Sequence, residues 1–199
     1  MARLVGSHGE TTARVIRDHS LKLFARHGYA AVSMRMIADA VGVQPSALYQ
    51  YHRTKQALLV HLMREHMEAL IDAWQLEFSH DDCAKSALER FARFHIRYNI
   101  TRPDEVFIAY MELRALEPDE FKLIEALRRR YEGILKAIVA RGVEEGSFEI
   151  EDAHVSAMAI LAMLTGINTW YRAGGRLSQG KIEDIYVVMI LRSVRCLLK

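Results

Sequence analysis

Side chains suited to nucleic acid are concentrated between residues 33 and 55 of this chain. Gln44 can form two hydrogen bonds with adenine, Ser46 can bond to either base of a pair, and Ala47 can contact a thymine methyl group. We assign Pro45 to the same surface. Neighbouring hydroxyl and cationic groups are of the types that hold phosphate oxygens. We therefore predict phosphate contacts for Ser33, Arg35, Tyr49, Tyr51 and Lys55.

Two short helices and the turn between them must position these side chains. Apolar residues recur at helical spacing over residues 34–41, a Gly42-Val43 corner follows, and a second helix is predicted over 45–51. Ser33 can cap the first helix, and Pro45 suits the first position of the second because its missing N–H has no intrahelical partner there. Two helices joined by a glycine-containing turn predict a helix-turn-helix, whose second helix enters the DNA major groove.

The distribution of charge points to the same end of the chain. Residues 1–55 hold eight Lys and Arg against three Asp and Glu, a net +5, whereas residues 56–199 hold nineteen against twenty-two, a net −3. A basic N-terminal part followed by a mildly acidic remainder indicates that a polyanion contacts the N-terminal end.

The composition predicts an all-α protein of one large or two small domains. The 199 residues include only three Pro and eleven Gly, and no stretch shows the alternation typical of strands. The longest apolar stretch, residues 157–164, is far shorter than the roughly 20 residues that span a bilayer, so we expect no membrane partner. Cys83 and Cys196 lie far apart in a chain without a signal peptide, which favours a reduced cytoplasmic setting and no structural disulfide.

Helical periodicity divides the chain into about nine helices. We expect a flexible arm over residues 1–11, in which Arg3 can reach a phosphate, then a helix-turn-helix domain over 12–57 and a helical body over 58–199. The first helix is predicted over about 12–27, and those after the helix-turn-helix over about 54–79, 83–100, 103–116, 118–145, 152–173 and 178–198.

Within residues 12–58, the residue types at certain positions and the spacing between those positions match the pattern of a known family. The matching residues are Ile16, Leu23-Phe24, Gly28-Tyr29, Ser33, Ile37-Ala38, Gly42-Val43, Leu48-Tyr49, Tyr51, Lys55 and Leu58. This segment resembles the TetR family of bacterial transcriptional regulators. Two positions depart from the family's pattern, since His19 stands where Ala is usual and His52 where Phe is usual. We expect His52 to loosen the packing of the second short helix or to titrate near neutral pH.

The resemblance implies a homodimer whose body, residues 58–199, binds an effector and dimerises. The last two helices of each subunit would form a four-helix interface, and a small molecule in the body would weaken DNA binding. Independently, residues 155–170 and 185–198 carry more apolar side chains than one intramolecular face needs. We therefore expect a repressor that binds a roughly palindromic operator in double-stranded DNA.

The segment Gly166–Ser178, with its Trp170-Tyr171 and Gly174-Gly175 pairs, looks like a segment of regulators of fatty-acid and steroid degradation. Several of those regulators respond to acyl-CoA thioesters, so this resemblance implies an acyl-CoA or another small, hydrophobic, lipid-derived effector. Methionine and aromatic side chains of the body suit a roomy hydrophobic pocket. The residues that we predict to contact the effector are His95, Tyr98, Asn99, Met111, Arg114, Asn168 and Trp170, with Glu112 as a further polar group.

Two alternatives stand beside the lipid-responsive repressor: a multidrug- or xenobiotic-responsive repressor of efflux genes, and a DNA-binding dimer without a ligand. An enzyme is disfavoured because the sequence has no Gly-rich phosphate loop, G-x-S-x-G, H-E-x-x-H or C-x-x-C motif, and we expect no cofactor. His61 and Glu65 have the spacing of metal ligands but lack a third ligand, so we interpret them as a solvated helix face. The three arginines at 128–130 are interpreted as a salt-bridged face, and as phosphate ligands if the effector carries coenzyme A.

Overall fold

A computed structural model of the chain describes residues 6–79 and 82–196, with side chains from residue 9 onward. This part is all-α, as the sequence predicts, with nine α-helices and a short 3₁₀ helix at Leu113–Ala115. The α-helices are α1 (Gly6–His27), α2 (Met34–Val41), α3 (Pro45–Tyr51), α4 (Lys55–Glu77), α5 (Ala84–Ile100), α6 (Pro103–Met111), α7 (Pro118–Glu144), α8 (Ala153–Trp170) and α9 (Gln179–Ser193).

The helices form two compact units. Within the described part, the head unit comprises residues 6–67 and 104–125, and the body unit comprises residues 68–103 and 126–196. Helices α4 and α7 each contribute residues to both units. The head unit takes in more of the chain than the segment 12–57 predicted from the sequence, because the start of α4 and residues 104–125 join its core.

The head core is assembled from apolar side chains of every helix in that unit. Ile37 of α2 and Leu48 of α3 are fully buried, and Ile108 and Ile124 belong to the same cluster. Burial of each such side chain stabilises the fold by about 1.5–3 kcal/mol. The remaining buried members are Ile16, Phe24, Val32, Met34, Ala38, Leu58, Leu59, Leu62 and Met63.

Helices α2 and α3 begin and end as the sequence predicts. The Ser33 hydroxyl oxygen accepts a hydrogen bond from the Met36 N–H at 3.2 Å, which confirms the predicted N-cap. Gly42 ends α2 with φ 78°, in the left-handed region where a side chain would be strained. Pro45 is the first residue of α3, where its missing N–H has no intrahelical partner.

Helix α1 begins at Gly6 rather than near Thr12, so residues 6–11, which we expected in a flexible arm, are helical. Once a helix has formed, each added residue contributes one backbone hydrogen bond. A packed helix can therefore extend through residues that have no apolar periodicity of their own. Arg3, which we expected to reach a phosphate, lies outside the described residues.

The body unit is built around α5, which packs against α8 and α9. The ring of Phe91 in α5 lies 5.1 Å from that of Trp74 in α4 and 5.4 Å from that of Tyr131 in α7. Glu183 of α9 is 3% exposed, and its Oε2 accepts a hydrogen bond from Arg97 Nε of α5 at 3.0 Å. Together with the pairing of Arg93 with Asp184 at 2.7 Å, this charge-assisted bond joins α9 to α5.

The end of α7 depends on a close approach between Gly142 and the aromatic ring of Phe148. A side-chain carbon at Gly142 would lie 1.9 Å from that ring, which is buried. The chain reverses at Gly146, whose φ is 68°. The N–H groups of Ser147 and Phe148 then donate to the Gly142 carbonyl at 2.8 and 2.9 Å. The break that the sequence predicts at 145–147 is confirmed.

Three later helices end earlier than predicted. Helix α6 ends at Met111, where the 3₁₀ segment replaces a continuous helix to 116, and α8 ends at Trp170 because Tyr171 is extended. Helix α9 ends at Ser193 rather than 198, since Arg195 has φ 49° and cannot continue a right-handed helix. Residues 197–199 lie outside the described part.

Candidate nucleic-acid interface and body cavity

Helix α3 turns one side toward the head core and leaves the other exposed. Leu48 is fully buried and anchors the helix. Gln44 precedes the helix, and its side chain makes no capping hydrogen bond, so its amide can bond to a base edge. Of the predicted DNA contacts, Ser33, Arg35, Gln44, Ser46, Tyr49 and Tyr51 are exposed, whereas Pro45, Ala47 and Lys55 are partly buried.

The start of α2 presents a second polar group suited to DNA. The Ser33 oxygen accepts the bond that caps α2, which leaves its hydroxyl proton to be donated to a phosphate oxygen. Arg35 is exposed in the first turn of the same helix. The local geometry is therefore compatible with the phosphate contacts that we predict for both residues.

Lys55, at the first residue of α4, has partners within the head unit. Its Nζ donates to the carbonyl oxygens of Tyr29 at 2.9 Å and Val32 at 2.8 Å, and it lies 4.1 Å from the centroid of the Tyr29 ring. Two of the three ammonium protons are thus used to hold α4 against the segment between α1 and α2. The sequence assigns Lys55 to phosphate alone, and the structure adds this bracing role.

Glu112 also belongs to the head unit, although we expected it among the polar groups of an effector pocket. Its Oε1 accepts a hydrogen bond from the Tyr29 N–H at 3.0 Å, and its side chain is 7% exposed. The expectation was wrong because the segment after α6 packs into the head core instead of the body. Sequence periodicity carries no signal for such a long-range bond.

His52 ends α3 and lies beside α4. Its ring centroid is 5.2 Å from that of His61, and His61 Nε2 lies 3.9 Å from Glu65, which also pairs with Arg17. Burial, and secondarily the charge of His61, lower the pKa of His52 below its usual value. Among the described residues, no three His, Cys, Asp or Glu side chains are grouped as metal ligands.

The predicted effector contacts are divided between the two units. Met111, which is 56% exposed, and Arg114 lie in the head unit. Trp170 lies in the body unit but is 51% exposed, with its ring stacked 6.5 Å from that of Tyr186. The remaining four, His95, Tyr98, Asn99 and Asn168, lie on α5 and α8 of the body unit.

Within the body, His95 is the centre of a buried polar network. Its Nδ1 lies 3.0 Å from the Tyr131 hydroxyl, and its Nε2 lies 3.2 Å from the Thr165 hydroxyl and 2.7 Å from Asn99 Nδ2. Asn99 Oδ1 and Asn168 Nδ2 are buried without a hydrogen-bond partner in the described part of the chain. The network links α5, α7 and α8, and buried polar groups of this kind stabilise a packed arrangement when they are bonded to one another.

A cavity of about 500 Å³ lies between α4 and α7 of the body unit. Ile71, Trp74 and Phe78 line it from α4, and Ile134 and Ile138 line it from α7. Gln75 also lines it from α4, and Arg130, Ala137 and Arg141 also line it from α7. None of the seven predicted effector contacts lines this cavity. In the sequence, the α7 side of this cavity is indicated by the three- and four-residue spacing of Arg130, Ile134, Ile138 and Arg141. This spacing places the four residues on one side of a helix.

Helices α8 and α9 carry exposed apolar side chains. Val155 of α8 is 63% exposed, and Met189 of α9 is 47% exposed. Ile185 and Val188 are also exposed on α9. Exposed apolar surface, where it is contiguous, marks sites of interaction.

Comparison with known proteins matches both parts of the chain to one family. Residues 16–62 match bacterial regulatory proteins of the tetR family, and residues 81–194 match the tetracyclin repressor-like C-terminal domain. The chain is 25% identical over 187 residues to the HTH-type transcriptional repressor KstR2 of Mycolicibacterium smegmatis. The alignment covers 89% of this chain and 90% of that protein.

Solved structures show the same fold. A tetR-family regulatory protein from Rhodococcus RHA1 superposes with a TM-score of 0.88 at 26% identity, covering 94% of this chain and 98% of that chain. AibR in complex with isovaleryl coenzyme A and operator DNA superposes with a TM-score of 0.83 at 24% identity, covering 94% and 100%. Since the C-terminal family match alone spans more than half of the residues, the chain belongs to the TetR family of bacterial transcriptional regulators.

Proposed function

We propose that this TetR-family chain is a homodimeric repressor that releases its operator when its body unit binds a small hydrophobic effector. The observation that carries the proposal is the exposed side of α3, where Gln44, Ser46 and Tyr49 face outward while Leu48 is fixed in the head core. KstR2 is a transcriptional repressor by name, and AibR was crystallised with operator DNA. Both relatives support this proposal.

In this proposal, α3 of each subunit enters a major groove. Gln44, Ser46 and Ala47 contact base edges, while Tyr49 and Tyr51 contact phosphates. The two-fold axis of the dimer requires a palindromic operator with half-sites about one helical turn, or a multiple, apart. Because the partner is chromosomal DNA, we place the protein in the cytoplasm.

We assign the dimer interface to the exposed apolar side chains of α8 and α9. Helix α8 is also the one helix in the described part that is long and apolar enough, by length and composition, to cross a membrane. We favour a subunit interface because both helices carry exposed apolar side chains, Val155 on α8 and Ile185, Val188 and Met189 on α9. Two such helices from each subunit would bury this surface in a four-helix arrangement.

Helix α4 is the element through which an effector would act. It begins with Lys55, which binds carbonyl oxygens of the head unit, and its later residues Ile71, Trp74 and Phe78 line the body cavity. A ligand that binds the DNA-incompetent conformer more tightly shifts the equilibrium toward that conformer. A coupling of about 1–3 kcal/mol would lower operator affinity about 5- to 150-fold.

An acyl-CoA or another lipid-derived molecule is the effector that we propose. The apolar cavity and the isovaleryl coenzyme A bound to AibR support this class. Candidate contacts beyond the cavity are His95, Tyr98, Asn99, Asn168 and Trp170 of the body unit. Met111 and Arg114 lie in the head unit, and we do not assign them to this effector site.

The proposal is tested by selecting operator sequences from random DNA and measuring their affinity by fluorescence anisotropy. We expect a palindromic consensus, and we expect Gln44→Ala to change the preferred base at one position in each half-site. Saturating acyl-CoA thioesters should weaken binding about 5- to 150-fold. Release by xenobiotics but not by acyl-CoA would instead identify an efflux repressor. Indifference to every ligand class would identify a ligand-independent dimer, and the absence of a palindromic consensus would contradict dimeric operator binding.

A further inference from the structure

We propose that the cavity between α4 and α7 takes a ligand with one apolar chain and one anionic group, and that the anionic group pairs with Arg141. The anionic group is a carboxylate or a phosphate. The inference rests on the proposed function in so far as this ligand would be the effector, and it specifies the effector's chemistry.

The apolar chain is indicated by the walls of the cavity. Trp74 and Phe78 of α4 and Ile134 and Ile138 of α7 present hydrocarbon and aromatic surface. The volume of about 500 Å³ lies within the range of about 300–1,000 Å³ that is typical of small-molecule sites. A chain placed there would leave water without losing hydrogen bonds, which is favourable in proportion to the area buried.

The anionic group is indicated by the guanidinium of Arg141. Its Nε lies 3.4 Å from Glu145 Oε1, and both Nε and Nη2 are buried without a hydrogen-bond acceptor in the described part of the chain. The other oxygen of Glu145 accepts a hydrogen bond from the Ala84 N–H at 3.0 Å. Glu145 thus holds Arg141 in place but leaves Nη2 unsatisfied. A buried donor without an acceptor is unfavourable, and an anion would supply the missing acceptor.

The charges around the cavity favour an anion over a cation or a neutral molecule. The nearby carboxylate of Asp82 is bonded to Arg90, whose Nε donates to it at 2.6 Å. Arg130, eleven residues before Arg141 on α7, lines the same cavity and is exposed, about 16 Å away along the helix axis. The balance of charge facing the cavity is therefore positive, and a hydrophobic cation would be repelled.

The test is isothermal titration calorimetry of the full chain with decanoate and decyl phosphate, below the concentrations at which they form micelles. Decanol and decyltrimethylammonium have the same chain without the anionic group. We expect both anions to bind about 10-fold or more tightly than decanol and the cation. The stronger of the two anions identifies whether a carboxylate or a phosphate is preferred. Quenching of tryptophan emission should accompany binding and should be lost in Trp74→Phe.

Variants of α7 locate the anion. Arg141→Gln should weaken binding of the anions about 10- to 100-fold without changing that of decanol, whereas Arg130→Gln should have a smaller effect because its side chain is solvated. Arg129→Gln, in the same helix but outside the cavity wall, is the matched control and should bind as the wild type does. If Arg141→Gln does not fold, as judged by circular dichroism, Arg141→Lys keeps the charge without the Nη2 donor and should show an intermediate loss.

The inference is overturned if decanol or the cation binds as tightly as the anions, or if both Arg141 variants bind as the wild type does. Operator affinity, measured in the same samples, separates this failure from that of the proposed function. Binding at Arg141 without operator release would uphold the cavity's chemistry and contradict its role as the effector site. Operator release by another ligand, unchanged in Arg141→Gln, would leave the repressor intact and reject this cavity.

Discussion

The ammonium of Lys55 is bound by two carbonyl oxygens of the head, so its charge stabilises the helix-turn-helix before any phosphate is present. Its third proton can still be donated to DNA. Because Lys55 begins α4 just after α3 ends, its bonds affect both the packing of α4 and the position in which α3 is held for contact with DNA. Two measurements on one variant can therefore separate the structural role from the DNA-contact role.

Lys55→Ala should lower the free energy of unfolding by about 1–3 kcal/mol, because it removes two charge-assisted hydrogen bonds from partly buried carbonyls. Urea unfolding measures this loss. If Lys55 also contacts phosphate, the slope of log affinity against log salt should flatten by about one unit, equally for all operator sequences. Arg53→Ala, an exposed neighbour, is the control for stability and should leave it unchanged. An unaltered salt slope would show that bracing is the only role of Lys55.

His52 makes the packing of α3 depend on pH. Its pKa is lowered by burial first and by His61 second, so near pH 6 the unfolded chain binds more protons than the folded chain. The stability that the neutral ring contributes is therefore fully present above the unfolded pKa of about 6.5 and is lost as pH falls below it. The groups facing this ring include His61, which lies beside Glu65, itself paired with Arg17.

Urea unfolding at pH 7.5 and 5.5 tests this linkage. We expect the wild type to lose stability on acidification, and His52→Phe to lose less, because a phenyl ring fills the site without taking up a proton. His19→Ala, at an exposed position of α1, should retain the wild-type difference between the two pH values. An equal acid-induced loss in His52→Phe and the wild type would assign the effect to other groups.

At the scale of elements, the end of α7 is determined by the contact of Gly142 with Phe148. The ring occupies the space of the missing side chain, and the turn at Gly146 brings it there. The same helix supplies the arginine wall of the cavity, since Arg141 directly precedes Gly142. The Nε of Arg141 lies 3.4 Å from Oε1 of Glu145, the residue that directly follows α7.

Gly142→Ala should lower the free energy of unfolding by about 1–3 kcal/mol, because the Phe148 ring must move to admit a methyl group. Gly133→Ala is the matched control on the same helix, where an added carbon has no neighbour within 4 Å. It should raise stability by up to about 1 kcal/mol, through helix propensity alone. Thermal unfolding followed by circular dichroism compares the two variants. If both substitutions change the free energy of unfolding by an equal and small amount, the Phe148 ring moves aside without a cost in stability.

At the scale of the whole molecule, the exposed apolar side chains of α8 and α9 are the surface that we assign to dimerisation. Val155, Val188 and Met189 are between 37% and 63% exposed, and each lies on one of these two helices. Under the proposed function, operator binding by two heads would require this interface, since a single head reads only one half-site. Dimerisation and operator affinity should therefore be lost together.

Met189→Glu should shift the protein toward the monomer by introducing two opposed carboxylates into an apolar interface. Analytical ultracentrifugation measures the dimer dissociation constant, which we expect to rise about 10-fold or more. Leu76→Glu on α4 is the control, because Leu76 is apolar and 91% exposed but lies outside the proposed interface. A dimer that tolerates Met189→Glu as well as Leu76→Glu would place the interface elsewhere.

The amino-acid sequence by itself determined the helical class, the two-helix motif, the cap at Ser33, the turn at Gly42 and the start of α3 at Pro45. These features depend on periodicity and on backbone preferences within a few residues of each position. The exposure of Ser46 follows from the same local pattern, because Ser46 lies on the opposite side of α3 from the buried Leu48, and Gln44 is exposed just before the helix begins. Local rules were sufficient wherever the relevant contacts lie within one or two helical turns.

Only the tertiary structure decided which distant residues share a site. The bonds of Lys55 to Tyr29 and Val32, and of Glu112 to Tyr29, join residues separated by 23 to 83 positions. The cavity likewise combines one face of α4 with one face of α7. Some of the residues that the sequence predicts to contact an effector instead form hydrogen bonds in the network around His95. The physical reason is that helical periodicity tells which face of a helix is apolar, whereas the packing of helices against one another decides what that face meets.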